Sequence, residues 1–222
     1  MANLFQMIEN TAARGAAGLL PEARESVVSA LRTLQGSDGG FAGLDGRSDP
    51  YFSFYAWLSL RALGATCDSD RLCEYMAAHR RDANKVDARC AQLLLAVEGR
   101  DAHVSWLALA VALLRGDSRD VYGAFLLLLV SAHVPRWLAR LAWRRQHRLF
   151  SADAAARLPT SRLAAGLLLA SLAGQPGACI RSALEDRRYV AGGFVSVPGA
   201  SPDLLATAVA RFALWHGGLF HE

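Results

Sequence analysis

An all-α protein is the fold class this sequence predicts, and three observations predict it. Alanine, leucine and arginine dominate the 222 residues and β-branched residues are sparse. Apolar positions recur at spacings of three and four rather than two, and glycine or proline breaks separate segments of helical length. A hydrophobic fraction of 53% is ample for an extended core and excludes a disordered chain.

The first expected helix runs from Pro21 to Leu34, because Pro21 suits a first turn and Val27, Val28, Leu31 and Leu34 share one face. Gly36, Gly39 and Gly40 stop it. Asp49 and Pro50 supply an N-cap and first-turn residue for the next helix, Tyr51 to Leu63, which Gly64 ends. That helix is apolar almost all round and should be enclosed by others. Further helices are expected at Ser69–Arg81, Lys85–Val97, His103–Leu114, Arg119–Ala132, Pro135–Arg148, Thr160–Ala173, Ala178–Arg188 and Pro202–Trp215. Arg-studded segments alternate with nearly uniform apolar ones, as an outer and an inner layer require. Helical hairpins side by side in a repeat array explain this rhythm, with 1–222 as a single domain.

The formal charge is +4, yet Lys85 is the only lysine and the arginines are spread over many helices. No dense basic tract tracks a nucleic-acid backbone, so nucleic acid is not an expected partner. The four cysteines, Cys67, Cys73, Cys90 and Cys179, form no C-x-x-C pair, and the N-terminus has no basic region followed by an apolar core. The expectation is a reduced, cytoplasmic protein. The longest apolar run, Val121 to Val130, is shorter than the roughly 20 residues that span a bilayer and reads as a buried helix.

One short pattern occurs twice. Gly39-Gly40-Phe41 is followed by Asp49-Pro50-Tyr51-Phe52-Ser53, and Gly192-Gly193-Phe194 by Asp203-Leu204-Leu205-Ala206-Thr207. In each copy an Asp opens an apolar stretch with Ser or Thr four positions on. The paired glycines suit a turn between two helices, the Phe would plug the space beneath it, and the Asp would cap the helix beyond.

From Leu34 to Gly64, and again around Gly192 to Trp215, the sequence resembles the repeat of protein prenyltransferase β subunits and terpenoid cyclases, with the closest look to the Rab geranylgeranyltransferase type. The resemblance implies an α/α toroid of roughly 10–12 helices around an apolar cavity for an isoprenoid, with motif-bearing repeats at about 22–66 and 178–218. The length is short for a six-hairpin ring and implies an open ring or abbreviated hairpins.

The family's zinc ligands do not carry over. Its Asp-x-Cys pattern falls on Asp49-Pro50-Tyr51 and its Asp-x-x-His-Thr pattern on Asp203 to Thr207, so Tyr51 and Ala206 stand where Cys and His would. Asp68-Ser69-Asp70 lacks the third carboxylate of a cyclase acid and reads as a helix cap. Cys67, Cys73, His79 and Cys90 fit no standard zinc spacing, and His216 and His221 sit at a helix stop. The resemblance therefore implies an isoprenoid- or lipid-handling protein, metal-independent if catalytic and needing no cofactor. Asp49 and Asp203 are its candidate catalytic residues, and Tyr51, Phe54, Tyr55, Trp57 and Thr207 would line the cavity.

Pro135 to Phe150 interleaves Arg136, Arg140, Arg144, Arg145 and Arg148 with Trp137, Leu138, Leu141, Trp143, Leu149 and Phe150, a basic amphipathic helix. Arg136, Arg140 and Arg144 are candidates to contact a diphosphate or a partner. The alternative function is a non-catalytic toroid scaffold that uses this helix to bind a protein partner, a second copy or the inner membrane surface.

Overall fold

The computed structural model describes residues 4–82, 84–100, 126, 129 and 135–217. Their regular structure is almost entirely helical, and the contacts group them into two compact units. Residues 4–100 and Leu129 belong to the first unit, Leu126 and 135–217 to the second. The helices expected at His103–Leu114 and Arg119–Ala132 lie outside the described residues, apart from Leu126 and Leu129, which are helical and buried.

The first unit contains α1 (Leu4–Ala17), α2 (Pro21–Thr33), α3 (Pro50–Ala62), α4 (Ser69–His79) and α5 (Lys85–Val97). Helix α3 is its centre, packing on α1, α2, α4 and α5 and burying Phe54, Trp57, Leu58 and Leu60. This is the enclosure its uniform apolarity demands. Asp49 caps it by accepting the Phe52 N–H at 3.0 Å, with Pro50 in the first turn where a missing N–H costs nothing. Helices α3 and α5 end alike: Ala65 N–H returns to Leu60 O at 2.8 Å and Arg100 N–H to Leu95 O at 2.9 Å, behind Gly64 and Gly99.

Helix α1 corrects the expected start of the helical array at Pro21. Its polar composition hides it, but Leu4 and Phe5 are buried and the Phe5 ring stacks on Trp57 with centroids 6.2 Å apart. A charged cluster ties it down. Arg61 pairs with Glu9 at 2.6 Å and Glu98 at 3.4 Å, its guanidinium lies 5.0 Å from the centre of the Trp57 ring, and Trp57 Nε1–H donates to Glu98 at 2.9 Å.

The second unit contains α6 (Arg136–Gln146), a 3₁₀ turn (His147–Phe150), α7 (Ala152–Ala155), α8 (Thr160–Leu172), α9 (Ala178–Glu185), the two-residue strands β1 (Phe194–Val195) and β2 (Pro202–Asp203), and α10 (Leu204–His216). Helix α8 is buried almost throughout and packs on α6, α9 and most extensively on α10. Phe150, stacked on Trp143 at 5.7 Å, lies over Gly166 of α8, where a side chain would collide with its ring. The strands pair antiparallel, Phe194 with Asp203 and Val195 with Pro202.

Four boundaries differ from expectation by two residues or more, the first being the end of α4 at His79 rather than Arg81. Helix α9 stops at Glu185 rather than Arg188, because Arg187 turns inward and Arg188 bridges to Phe194. The basic helix gives way to the 3₁₀ turn after Gln146, and α10 begins after the Asp203 cap rather than at Pro202.

Candidate functional site

The two motif copies fold to the same hydrogen-bonded unit. Gly36 N–H donates to Gly40 O at 2.8 Å and Gly39 N–H to Gly36 O at 3.0 Å; in the second copy Tyr189 donates to Gly193 O at 3.1 Å and Gly192 to Tyr189 O at 2.9 Å. Ala42 N–H reaches Leu34 O at 2.8 Å, as Val195 N–H reaches Arg187 O at 3.1 Å. Phe41 N–H then donates to Ser53 Oγ at 2.7 Å and Phe194 N–H to Thr207 Oγ1 at 2.9 Å. The motif hydroxyl thus anchors the hairpin to the first turn of the following helix.

Both motif phenylalanines are buried, and Gly39 and Gly192 take φ of 90° and 101°. At Gly39 a second reason adds to this: a Cβ there would stand 2.4 Å from Arg71 O. The caps also match, since Asp203 accepts the Ala206 N–H at 2.7 Å as Asp49 accepts that of Phe52. Asp49 and Asp203 stand in separate units.

Around Asp49 the field is acidic. Burial first, then the charges of Asp49 and Asp82, raise the carboxyl pKa of Asp87 above its ordinary value, and burial raises the Tyr75 phenol. The Tyr75 ring lies against Gly40 and 4.3 Å from His79, whose Nδ1 is 2.8 Å from Tyr75 O. Ala206 offers no ligating atom, and among the described residues no three His, Cys, Asp or Glu side chains converge as a metal site. Asp68 accepts the Arg71 N–H at 3.3 Å, a helix cap as its position indicates.

The aromatic set divides. Phe54 and Trp57 are buried among helices, whereas Tyr51 and Tyr55 are half-buried with ring centroids 4.7 Å apart. Tyr55 joins Leu31, Leu34, Phe41 and Phe52 around a hollow of about 180 Å³ between α2 and α3. Thr207 spends its hydroxyl within the motif, also donating to Asp203 O at 2.7 Å. Arg136, Arg140 and Arg144 are exposed on α6, and Arg140 Nε donates to Ala173 O at 3.3 Å.

Two features have no counterpart among the sequence expectations. A groove of about 790 Å³ opens between α1, α2 and the end of α3, with Ala16, Ala17, Val28 and Leu63 on its walls and Arg24 and Arg32 beside them. Arg187 is buried, donating from Nη2 to Ala156 O at 2.6 Å and Leu158 O at 3.1 Å, and this burial lowers its pKa. Neither carries a motif; both depend on which helices meet. Compared with known proteins, the chain matches no family model, no curated protein and no solved structure.

Proposed function

We propose that the chain is an isoprenoid- or lipid-handling protein of the prenyltransferase and terpene cyclase kind, an α/α toroid with an apolar central cavity. The observation that carries this reading is the doubled hairpin with its matched hydrogen bonds, each copy leading from a surface helix into an apolar one capped by Asp. Helices packed on their second neighbours, α1 on α3, α3 on α5 and α8 on α10, support it as well, because inner helices of a toroid meet in that order. Tyr51 and Tyr55 would present their ring faces to the chain of the ligand. Asp49 and Asp203, at inner-helix starts, would serve any proton transfer, with no metal involved. Such a protein would work in the cytoplasm, at the inner membrane surface where its substrates partition.

Calorimetry with geranylgeranyl diphosphate, with mass spectrometry of lipids extracted from the natively purified chain, tests this reading. Saturable binding weakened by Tyr51→Ala supports it. A chain that carries no lipid and binds no prenyl diphosphate removes it, and stoichiometric zinc by elemental analysis would overturn its metal-free form.

A second reading rests on a different observation. Trp137 is 54% exposed among the exposed Arg136, Arg140 and Arg144, while Leu138, Ala139 and Ala142 hold the other side of α6 to the unit. A scaffold would use that face to bind a protein partner, a second copy or an anionic membrane. Arg140→Glu with Arg144→Glu would then abolish sedimentation with anionic vesicles or the partner at unchanged helicity. Unaltered binding would exclude the helix as the contact.

A further inference from the structure

The internal duplication shows what the first unit lacks. Carried back from the matched hairpins, the register sets Val27, Leu31 and Leu34 of the α2 segment against Ile180, Leu184 and Arg187 of the α9 segment. The second set is 1%, 0% and 5% exposed, sealed beneath α8 and α7, whereas Val27 is 42% and Leu34 44% exposed and α2 buries no residue. Equivalent positions are filled in the second unit and, at Val27 and Leu34, open in the first.

A second difference, along the groove toward α1, lies in two residues. In the second unit Leu167 of α8 lies against Gly177 and Gly217, at distances of 2.5 Å from Cδ1 and 2.8 Å from Cγ to where their Cβ atoms would be. The same register puts Arg24 and Leu63 at those positions in the first unit, and there Arg24 Nε donates to Leu63 O at 2.8 Å. A guanidinium therefore occupies the approach that an aliphatic side chain takes in the other copy. Helix α1 does not pack along α2, and the groove of about 790 Å³ stays open between them.

We propose that this groove binds a single-chain anionic amphiphile, its aliphatic tail lying along Ala16, Ala17 and Val28 and its head group held by Arg24 and Arg32. The two arginines sit two turns apart on α2 and both reach the segment that follows α3, Arg24 holding the Leu63 carbonyl and Arg32 Nη2 donating to Thr66 O at 3.3 Å. Each guanidinium has five N–H donors and can add a carboxylate or phosphate oxygen to its carbonyl partner. Glu25 on the same groove excludes the head group from its own side. The site is at the opposite end of α3 from Asp49 and stands whether or not the isoprenoid reading does.

The test is calorimetric titration of the full chain with dodecanoate, dodecanol and farnesyl diphosphate. Dodecanoate should saturate one site. Val28→Trp and Ala17→Trp, both at incompletely buried positions, should each weaken it at least ten-fold with helicity and Tm unchanged. Arg32→Gln should weaken dodecanoate but not dodecanol, leaving the Arg24 bond in place. Displacement of dodecanoate by farnesyl diphosphate would assign the groove to prenyl anions, and its failure to compete would assign it to fatty acids. No saturable dodecanoate binding, or binding indifferent to both tryptophans or to Arg32→Gln, overturns the proposal. Prenyl diphosphate binding sensitive to Tyr51→Ala, with no saturable dodecanoate binding, would overturn the groove alone.

Discussion

Leu167 of α8 packs so closely on Gly177 that a Cβ at that glycine would stand 2.5 Å from the leucine Cδ1. Leu167 is itself buried and meets Gly217 on another side, so it has little room to yield. Gly177→Ala is expected to cost about 1–3 kcal/mol by overpacking, read as a lower denaturation midpoint at unchanged m-value. A midpoint equal to the parent's would mean that α8 and α9 can part without penalty.

Gly39→Ala should be worse than Gly46→Ala. Both glycines have positive φ, but an alanine at Gly46 meets open space whereas one at Gly39 meets the Arg71 carbonyl. The expected losses are about 1 kcal/mol at Gly46 and about 3 kcal/mol or more at Gly39. Chemical denaturation of the two variants side by side gives the order.

The matched caps can be weighed separately. Asp49→Ala and Asp203→Ala should each cost about 1 kcal/mol, and the double variant should show the sum within roughly 0.5 kcal/mol, since the two caps share no partner. Thr207→Ser should be nearly neutral because Ser53 makes the equivalent bond, whereas Ser53→Ala strands a buried Phe41 N–H at about 1–3 kcal/mol. Urea titrations distinguish these outcomes.

Cysteine reactivity should follow burial. Cys179 is exposed and should alkylate first in the native chain, while buried Cys90, its thiol pushed up to about 12 by burial, should react only on unfolding. The sign of its effect on stability follows. Folding is undisturbed while both states keep the proton; above the ordinary value of 9.0 the unfolded chain ionises first, so stability falls as pH climbs toward about 12. Cys90→Ala should flatten that fall, measured by denaturation at pH steps above 9.0.

Local chemistry was the legible part of the sequence. Asp49-Pro50 and Gly64 bound α3 because capping and helix termination are decided within a few residues, and the paired glycines before Phe41 and Phe194 marked both hairpins. Helix α1 was not legible, because it is held by two buried side chains and a contact to Trp57 rather than by an apolar stripe. Nor was the inward turn of Arg187, whose carbonyl partners come from a segment some 30 residues earlier. The groove beside α2 was hidden for the same reason: Arg24 and Gly177 differ in ways that matter only once α1 or α8 approaches.

The second hairpin takes one residue more than the first between its Phe and its Asp, yet the matched backbone bonds, the hydroxyl anchor and the Asp cap are preserved. Chain length at the tip is therefore decoupled from the setting of the helices. Nature has already made one insertion there without disturbing what lies below. In the first copy the tip is open to solvent, with Leu44 almost fully exposed. A peptide tag or labelling sequence grafted between Leu44 and Gly46 should be carried as a passenger, which makes the hairpin a handle for attaching the protein to a surface or a probe.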